Sequence, residues 1–349
     1  MGHFQNGVVI ALDAMGGDHG PEPTLLGGLQ ALRLNPHLSL AIVGDEAQLN
    51  ALLRRKKFNT LFKEVKSRVK WVHAEEVIHM EDSASTAIRK KTQSSIHVGL
   101  QVVKSGEAQA FISFGNSGAV MAASTVVLGK LPEIERPAIL VKVPTHTGAF
   151  FLLDAGANVD CKPQQLVRFA EMGKIFLEKI EQVKNPKVAL LSNGSEVTKG
   201  NELTRATHDL LVKRSFPNYV GYVEGYDVFN HEVDLVVCDG FVGNVTLKVV
   251  EGFANMAVLW FRKAIKKDIK SLVGLVLMRK LIQKFKDRFH YQSHGAAPLL
   301  GSQGVVFIGH GKSTEKAVCN GILAAYHAVK QDLLKHLSSQ VDTPIEVKP

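Results

Sequence analysis

A chain of 349 residues, 45% of them hydrophobic, can bury a sizeable core as two domains or as one large α/β unit. Its three cysteines, Cys161, Cys238 and Cys319, are odd in number and far apart, which excludes a disulfide framework and leads us to expect a reducing, cytoplasmic setting. Net charge is +9, but ten Lys/Arg and two Asp/Glu fall between Arg262 and Arg288, leaving 32 basic and 31 acidic residues elsewhere. One localised basic segment on a near-neutral body argues for a single anionic partner and against a general nucleic-acid binder.

In chain order, strand-like and helix-like segments alternate. No apolar leader precedes the strand at 8–12, so no signal peptide is expected. The loop Asp13-Ala-Met-Gly-Gly-Asp-His-Gly-Pro21 follows, then a helix over 23–34, a strand at 40–43 and a helix near 47–54. A third strand at 69–74 precedes a helix carrying Arg89, Lys90 and Lys91. The segments 139–143 and 150–154 read as a strand pair, 165–180 as a helix, and 187–192 and 219–223 as further strands. This alternation predicts an α/β fold: a doubly wound, mostly parallel, three-layer sheet in a single two-lobed unit over 1–349. In such sheets ligands bind outside the carboxyl ends of the strands.

Three places share one layout. Short apolar runs at 110–113, 235–238 and 305–308 enter Gly115-Asn-Ser-Gly118, Asp239-Gly-Phe-Val-Gly-Asn244 and Gly309-His-Gly-Lys-Ser313, and each leads into a helix. A strand, a glycine loop and a helix start aim unpaired N–H groups and a positive dipole end at one point, which suits phosphate or a developing oxyanion. Gly240 and Gly243 are expected to make a tight turn, with the helix opening at Asn244. The three loops are expected to gather at one edge of the sheet.

Other chemistries find no support. A Walker motif needs Gly where Val306 stands, and none of the glycine loops completes Gly-x-Gly-x-x-Gly. There is no Gly-x-Ser-x-Gly, His-Glu-x-x-His or clustered Cys/His, so neither a covalent nucleophile nor a metal or other cofactor is expected. An anion site without an obvious nucleophile remains. Asn116, Ser117, Asp239 and Asn244 are the candidate catalytic residues, although Asn and Ser at helix starts also serve as caps. Gly115, Gly243, Lys199 and Lys248 are the candidate phosphate contacts, the lysines having a solvated-surface alternative.

The segment 253–290 stands apart. Ala257, Val258, Trp260, Phe261 and Ala264 fall on one side of a helical wheel, opposite Arg262, Lys263, Lys266 and Lys267. A second apolar series, Leu275, Met278, Ile282 and Phe285, lies opposite Arg279 and Lys286. A basic amphipathic helix of this kind can lie in a membrane interface, and a core or dimer-interface helix is the alternative. Trp260, Phe261, Lys263, Lys267, Leu272, Leu275, Arg279 and Phe285 are the candidate contacts to a membrane or an acidic partner.

An ordered set of short motifs then resembles the bacterial phosphate acyltransferases: Ala11-Leu-Asp-Ala-Met-Gly-Gly-Asp-His-Gly-Pro21, Gly115-Asn-Ser-Gly-Ala119, Leu153-Asp-Ala-Gly-Ala-Asn-Val-Asp160, Glu196-x-x-Lys199-Gly200, Cys238-Asp-Gly-Phe-Val-Gly-Asn-Val-Thr-Leu-Lys248 and Gly295-Ala-Ala-Pro-Leu-Leu-Gly301. One departure lies at Glu81-Asp-Ser-Ala84, where relatives often carry Pro after the acidic residues. The resemblance implies a fold similar to phosphotransacetylases and isopropylmalate dehydrogenases, and transfer of a long acyl chain from acyl carrier protein to inorganic phosphate. It also implies a homodimer whose acyl phosphate feeds a membrane glycerol-3-phosphate acyltransferase, and it favours the membrane-interface reading of 253–290, hence peripheral association. A phosphotransacetylase-like enzyme using acyl-CoA and a non-enzymatic membrane-binding regulator are the alternatives.

Overall fold

The computed structural model describes residues 7–146, 148–230, 232–265 and 295–341. The first part of the chain gives β1 (Val8–Asp13), α1 (Pro21–Leu34), β2 (Leu38–Gly44), α2 (Glu46–Leu53), α3 (Lys56–Val65), β3 (Val69–His73), α4 (Ala84–Lys90), α5 (Ser95–Lys104), β4 (Ala110–Ser113) and α6 (Ser117–Val127). The middle gives β5 (Ala138–Pro144), β6 (Ala149–Leu153), α7 (Pro163–Lys179), β7 (Val188–Ser192), α8 (Glu202–Lys213), β8 (Tyr219–Glu224), β9 (Leu235–Val237) and α9 (Gly240–Ile265). The last part gives β10 (Ala296–Leu300), β11 (Val305–Gly309), α10 (Glu315–Lys330) and α11 (Leu333–Gln340).

All these strands join one sheet in the order β3-β2-β1-β4-β11-β10-β5-β6-β9-β7-β8. Strands β3, β2, β1, β4 and β11 run parallel. β10 is antiparallel to both β11 and β5, and β5 is antiparallel to β6. β6, β9, β7 and β8 are again parallel to one another. Counting the reversals, the second parallel group runs opposite to the first. Within it, β8 carries one residue more than β7 between the pairs Val188–Tyr219 and Leu190–Tyr222, a bulge at Gly221.

Period-two alternation divides the strand side chains between two cores. On one face Ile10, Leu12, Phe151, Leu153 and Phe307 join a continuous cluster covered by α1, α7, α10 and α11. The other face carries two separate clusters. Ala11, Phe111 and Val306 pack with Ala119, Val120 and Ala123 of α6; Phe150, Leu152 and Val236 pack with Val242, Leu247 and Val250 of α9. α6 and α9 therefore cover the same face, each over its own cluster, with a division between them.

The strand–helix reading of the sequence agrees with this architecture, including the strand pair β5–β6, which the structure shows to be antiparallel. Two expectations need correction. The three glycine loops do not leave one edge: those after β4 and β11 do, but β9 points the other way. The second concerns α9, which opens at Gly240 rather than at Asn244.

Candidate functional site

The site is organised by two buried aspartates. Asp13, fully buried at the end of β1, accepts the N–H groups of Met15 and Gly16 at 3.0 and 3.1 Å and the Ser113 hydroxyl at 2.6 Å. Ser113 in turn accepts the Gly115 N–H at 3.1 Å, so the ends of β1 and β4 are tied together. Burial pushes the Asp13 carboxyl above its ordinary range, against the pull of these donors. The loops touch so closely that a Cβ on Gly16 would fall 2.7 Å from the Gly115 nitrogen. The Asp18 N–H donates to the Gly311 carbonyl at 2.8 Å, which brings the loop after β11 to the same place. Gly309 is glycine because the Phe114 ring lies against it, 2.1 Å from where a Cβ would sit.

α6 starts at this junction. The Asn116 Oδ1 caps it by accepting the Ala119 N–H at 3.1 Å. The N–H groups of Ser117 and Gly118, in the first turn, have no intrahelical partner. The other end of the Asn116 amide holds the segment 79–82: Nδ2 donates to the carbonyls of His79, Met80 and Asp82 at 3.4, 3.2 and 3.0 Å. Lys91 anchors the same segment from its far side, donating to Val77 O at 2.9 Å and to the Asp82 carboxylate at 2.5 Å. Between this segment and the β1 loop lies a cavity of about 190 Å³ whose walls include Met15, Asp18, Ile78, His79, Met80 and Glu81.

Asp154 repeats the Asp13 arrangement at the end of β6. It accepts N–H groups from Ile139, Gly156, Ala157 and Asn158 and the Asn158 side-chain amide, at 2.7 to 3.2 Å. Burial raises its carboxyl too. α9 starts against this loop. Asp239 caps it by accepting the Val242 N–H at 2.9 Å, and the Gly240 N–H donates to Asn158 O at 2.7 Å. Gly240 and Gly243 are glycines for contact, not for a turn: a Cβ on Gly243 would stand 1.9 Å from the Asp154 carbonyl oxygen. Asn244 thus lies in the second turn of α9 beside Gly156 rather than at its cap, because the chain is already helical at Gly240. Burial, with Asp154 and Asp239 nearby, pushes the Cys161 thiol up to about 12, so it is no nucleophile at neutral pH.

Lys199 is exposed in the loop after β7, its stem lying over Gly194 and its backbone N–H bonded to Glu196 O. It shares a strand direction with Asp239, not with Asn116. Lys248 is exposed on α9 and pairs with Glu251 at 3.0 Å. The two halves meet at His310, after β11. Burial, and then the charge of Lys248, push its imidazole below the ordinary value, with Lys312 adding to this and Glu251 and Asp18 opposing. Its Nδ1 accepts the Lys312 N–H at 3.1 Å. α9 therefore crosses from the Asp154 loop toward the loops of the first half.

So the structure joins Gly115, Asn116 and Ser117 to the β1 and β11 loops, and Asp239 and Gly243 to the Asp154 loop, with Asn244 and Lys248 on the helix between them. Sequence reasoning missed the scaffolding by Asp13, Asp154 and Ser113 and the approach of Lys248 to His310; the repeated pattern Leu-Asp-Ala at 12–14 and 153–155 was the available signal. Trp260 is exposed, at 62%, and Lys263 is exposed on the same helix. Phe261 falls on the backbone of α9, and the candidate contacts Lys267, Leu272, Leu275, Arg279 and Phe285 lie outside the described residues. Among the described residues no group of three His, Cys, Asp or Glu could hold a metal, and no helix is long and apolar enough to cross a membrane.

A family model described as "Fatty acid synthesis protein" matches residues 8–336. A protein of Pelotomaculum thermopropionicum called phosphate acyltransferase is 45% identical over 97% of this chain and 96% of its own length. One of Geobacter sulfurreducens with the same name is 44% identical over 96% of this chain and 94% of its own. The chain belongs to the phosphate acyltransferase family. It is an acyltransferase, as its resemblance to that family implied. Among solved structures it is similar in fold to the EutD phosphotransacetylase from Staphylococcus aureus, with a TM-score of 0.54 and 16% identity over 93% of this chain and 94% of that one. A branched-chain phosphotransacylase from Enterococcus faecalis V583 gives a TM-score of 0.55 and 14% identity over 92% and 99%. These phosphotransacylases share the phosphate acyltransferase chain's sheet architecture, as expected.

Proposed function

We propose that this phosphate acyltransferase moves a long fatty acyl group from the thioester of acyl carrier protein to inorganic phosphate. The observation that carries the reading is the start of α6, where the Ser117 and Gly118 N–H groups face no intrahelical acceptor on the side of the sheet that α9 shares. Phosphate is its own nucleophile, so the protein needs no Ser–His pair. It needs donors for the developing oxyanion and cations to gather two anionic partners. A phosphate oxygen forms a bond to the thioester carbon, the C–S bond breaks, and the proton of hydrogen phosphate ends on the departing thiol. In this reading Ser117 and Asn244 face the reacting carbonyl, and Lys199 and Lys248 neutralise phosphate. Gly115, Asp239 and Gly243 fix the two helix starts. The thiol product stays on the carrier protein, and the acyl phosphate passes to a membrane glycerol-3-phosphate acyltransferase.

We further propose a homodimer that associates peripherally with the membrane. The apolar side chains of Phe253, Met256, Leu259 and Trp260, all more than half exposed on α9, support a partner surface there. The decisive assay follows inorganic phosphate and hydroxylamine-trappable acyl phosphate with a long-chain acyl carrier protein and the matching acyl-CoA. Consumption with the carrier-protein thioester at the higher kcat/KM is expected. Preference for acyl-CoA would place the chain with the coenzyme A phosphotransacylases, and no phosphate consumption with either donor sinks the reading.

A further inference from the structure

We infer that the 190 Å³ cavity between the β1 loop and the 77–81 segment seats the pantetheine arm of the acyl donor, and that Asn116 is the positioning residue that ties this cavity to the start of α6. The inference rests on the carrier-protein reading above and goes beyond it by assigning the donor subsite.

The first argument is the chemistry of the walls. Met15, Ile78 and Met80 offer apolar surface, whereas Asp18, His79 and Glu81 bring polar side chains. Two carboxylates make it a poor seat for phosphate, since like charges repel. A neutral chain of methylenes and secondary amides fits both kinds of wall, with its amide N–H groups matching carboxylate acceptors. Position is the second argument: one wall, the segment 79–82, is bonded directly to the residue that caps α6.

That residue is Asn116, whose side chain is used at both ends. Its Oδ1 holds the Ala119 N–H, and its Nδ2 faces the carbonyls of His79 and Met80 in the cavity wall, at 3.4 and 3.2 Å, and that of Asp82 just beyond it, at 3.0 Å. A surface cap needs only the first of these contacts. The second makes the wall move with the helix start, so an arm bound in the cavity arrives in register with the Ser117 and Gly118 N–H groups. Lys91 and Asp82 brace the wall from the other side, Asp82 also accepting the His79 N–H at 2.8 Å.

Asn116→Asp separates the two roles. A carboxylate still accepts the Ala119 N–H and caps as well as asparagine, but it cannot donate to the three carbonyls. The experiment titrates wild type and variant with apo acyl carrier protein, which lacks the arm, and with holo acyl carrier protein, which carries it. Wild type is expected to bind the holo form more tightly. In Asn116→Asp the holo affinity should fall about tenfold toward the apo value while apo binding changes little, and KM should rise for the acyl donor, the added charge raising that for phosphate as well. Equal weakening of both carrier forms would make the segment a protein-docking surface and overturn the inference, as would a rise confined to the KM for phosphate. Equal wild-type affinity for the two forms overturns it directly. Should Asn116→Asp not fold, Lys91→Met loosens the wall without touching α6 and must show the same loss confined to the holo form; unchanged holo binding there defeats the proposal. Failure of the carrier-protein reading looks different: wild type then consumes no phosphate with acyl carrier protein.

Discussion

At Gly243 the backbone of α9 approaches Asp154 more closely than any side chain permits. The space for a Cβ is occupied by the Asp154 carbonyl oxygen at 1.9 Å and by Cys238 Sγ at 3.0 Å. Neither can swing aside as the end of a long side chain could, so Gly243→Ala must displace α9 or the Asp154 loop. Overpacking of this kind costs typically about 1–3 kcal/mol, and a backbone obstacle puts this site at the upper end. A clear fall in thermal midpoint is expected for Gly243→Ala. Gly252→Ala, where a Cβ meets nothing within 4 Å, should leave it level or raise it, since alanine is the better helix former. Equal midpoints for the two variants would show that the contact is not binding. The residue scale is also where the sequence was least legible. Asp13 and Asp154 stand in plain view, but nothing local tells that each carboxylate is buried and bound to a distant strand, Asp13 to the Ser113 hydroxyl and Asp154 to the Ile139 N–H. Asn116 could be read as a cap, which it is; its second set of bonds, to residues more than thirty positions earlier, leaves no sequence signal.

Elements were more legible than their ends. Every strand read from the sequence appears, and the central ones are the plainest, because a strand buried on both faces must be apolar throughout. α9 was started four residues late, since a pair of glycines reads as a turn, and helix-interior glycine is disfavoured unless something packs there. Its far half carries the larger question. Val245, Val249, Phe253, Met256 and Trp260 recur every three or four residues, and all are exposed. If this stripe and the basic residues that follow it rest on anionic lipid, each nearby Lys or Arg contributes about 1 kcal/mol and the apolar face adds to it. Vesicles containing anionic lipid should then sediment the protein at low salt, release it at high salt, and fail to sediment Phe253→Glu/Trp260→Glu, while the phosphate assay of the double variant in solution is retained. A wild-type protein that stays in the supernatant identifies the stripe as a subunit interface, and light scattering of the double variant would then report a monomer.

For the whole molecule, the alternation of strands and helices announced a layered α/β sheet but not its strand order. Order is fixed by pairing between distant segments: β11 inserts beside β4, and β10 and β5 bring in the reversals that turn the second parallel group around. No local pattern carries that information, which is why the three glycine loops could be expected at one edge. We propose that the chain is nonetheless one folding unit, because a continuous core spans one face of the sheet from β2 to β7. Heat or urea should unfold it in a single transition seen alike by far-ultraviolet circular dichroism and by Trp71 fluorescence in a Trp260→Phe variant, where the one remaining tryptophan reports the first half. Two resolved transitions would divide it into domains. Among the described residues, this wide sheet has two outermost strands, β3 and β8, each paired on one side only. Unpaired strand edges invite another chain to add on and start a fibre. β3 is short, has no buried residue, and commits Lys70 to an ion pair with Glu107. β8 has Gly221 at a φ of 95° within its bulge, which skews its outer row of N–H and C=O groups. The irregularity that looks like imperfect pairing at Gly221 is therefore a guard against aggregation, allowing so broad a sheet to end in water.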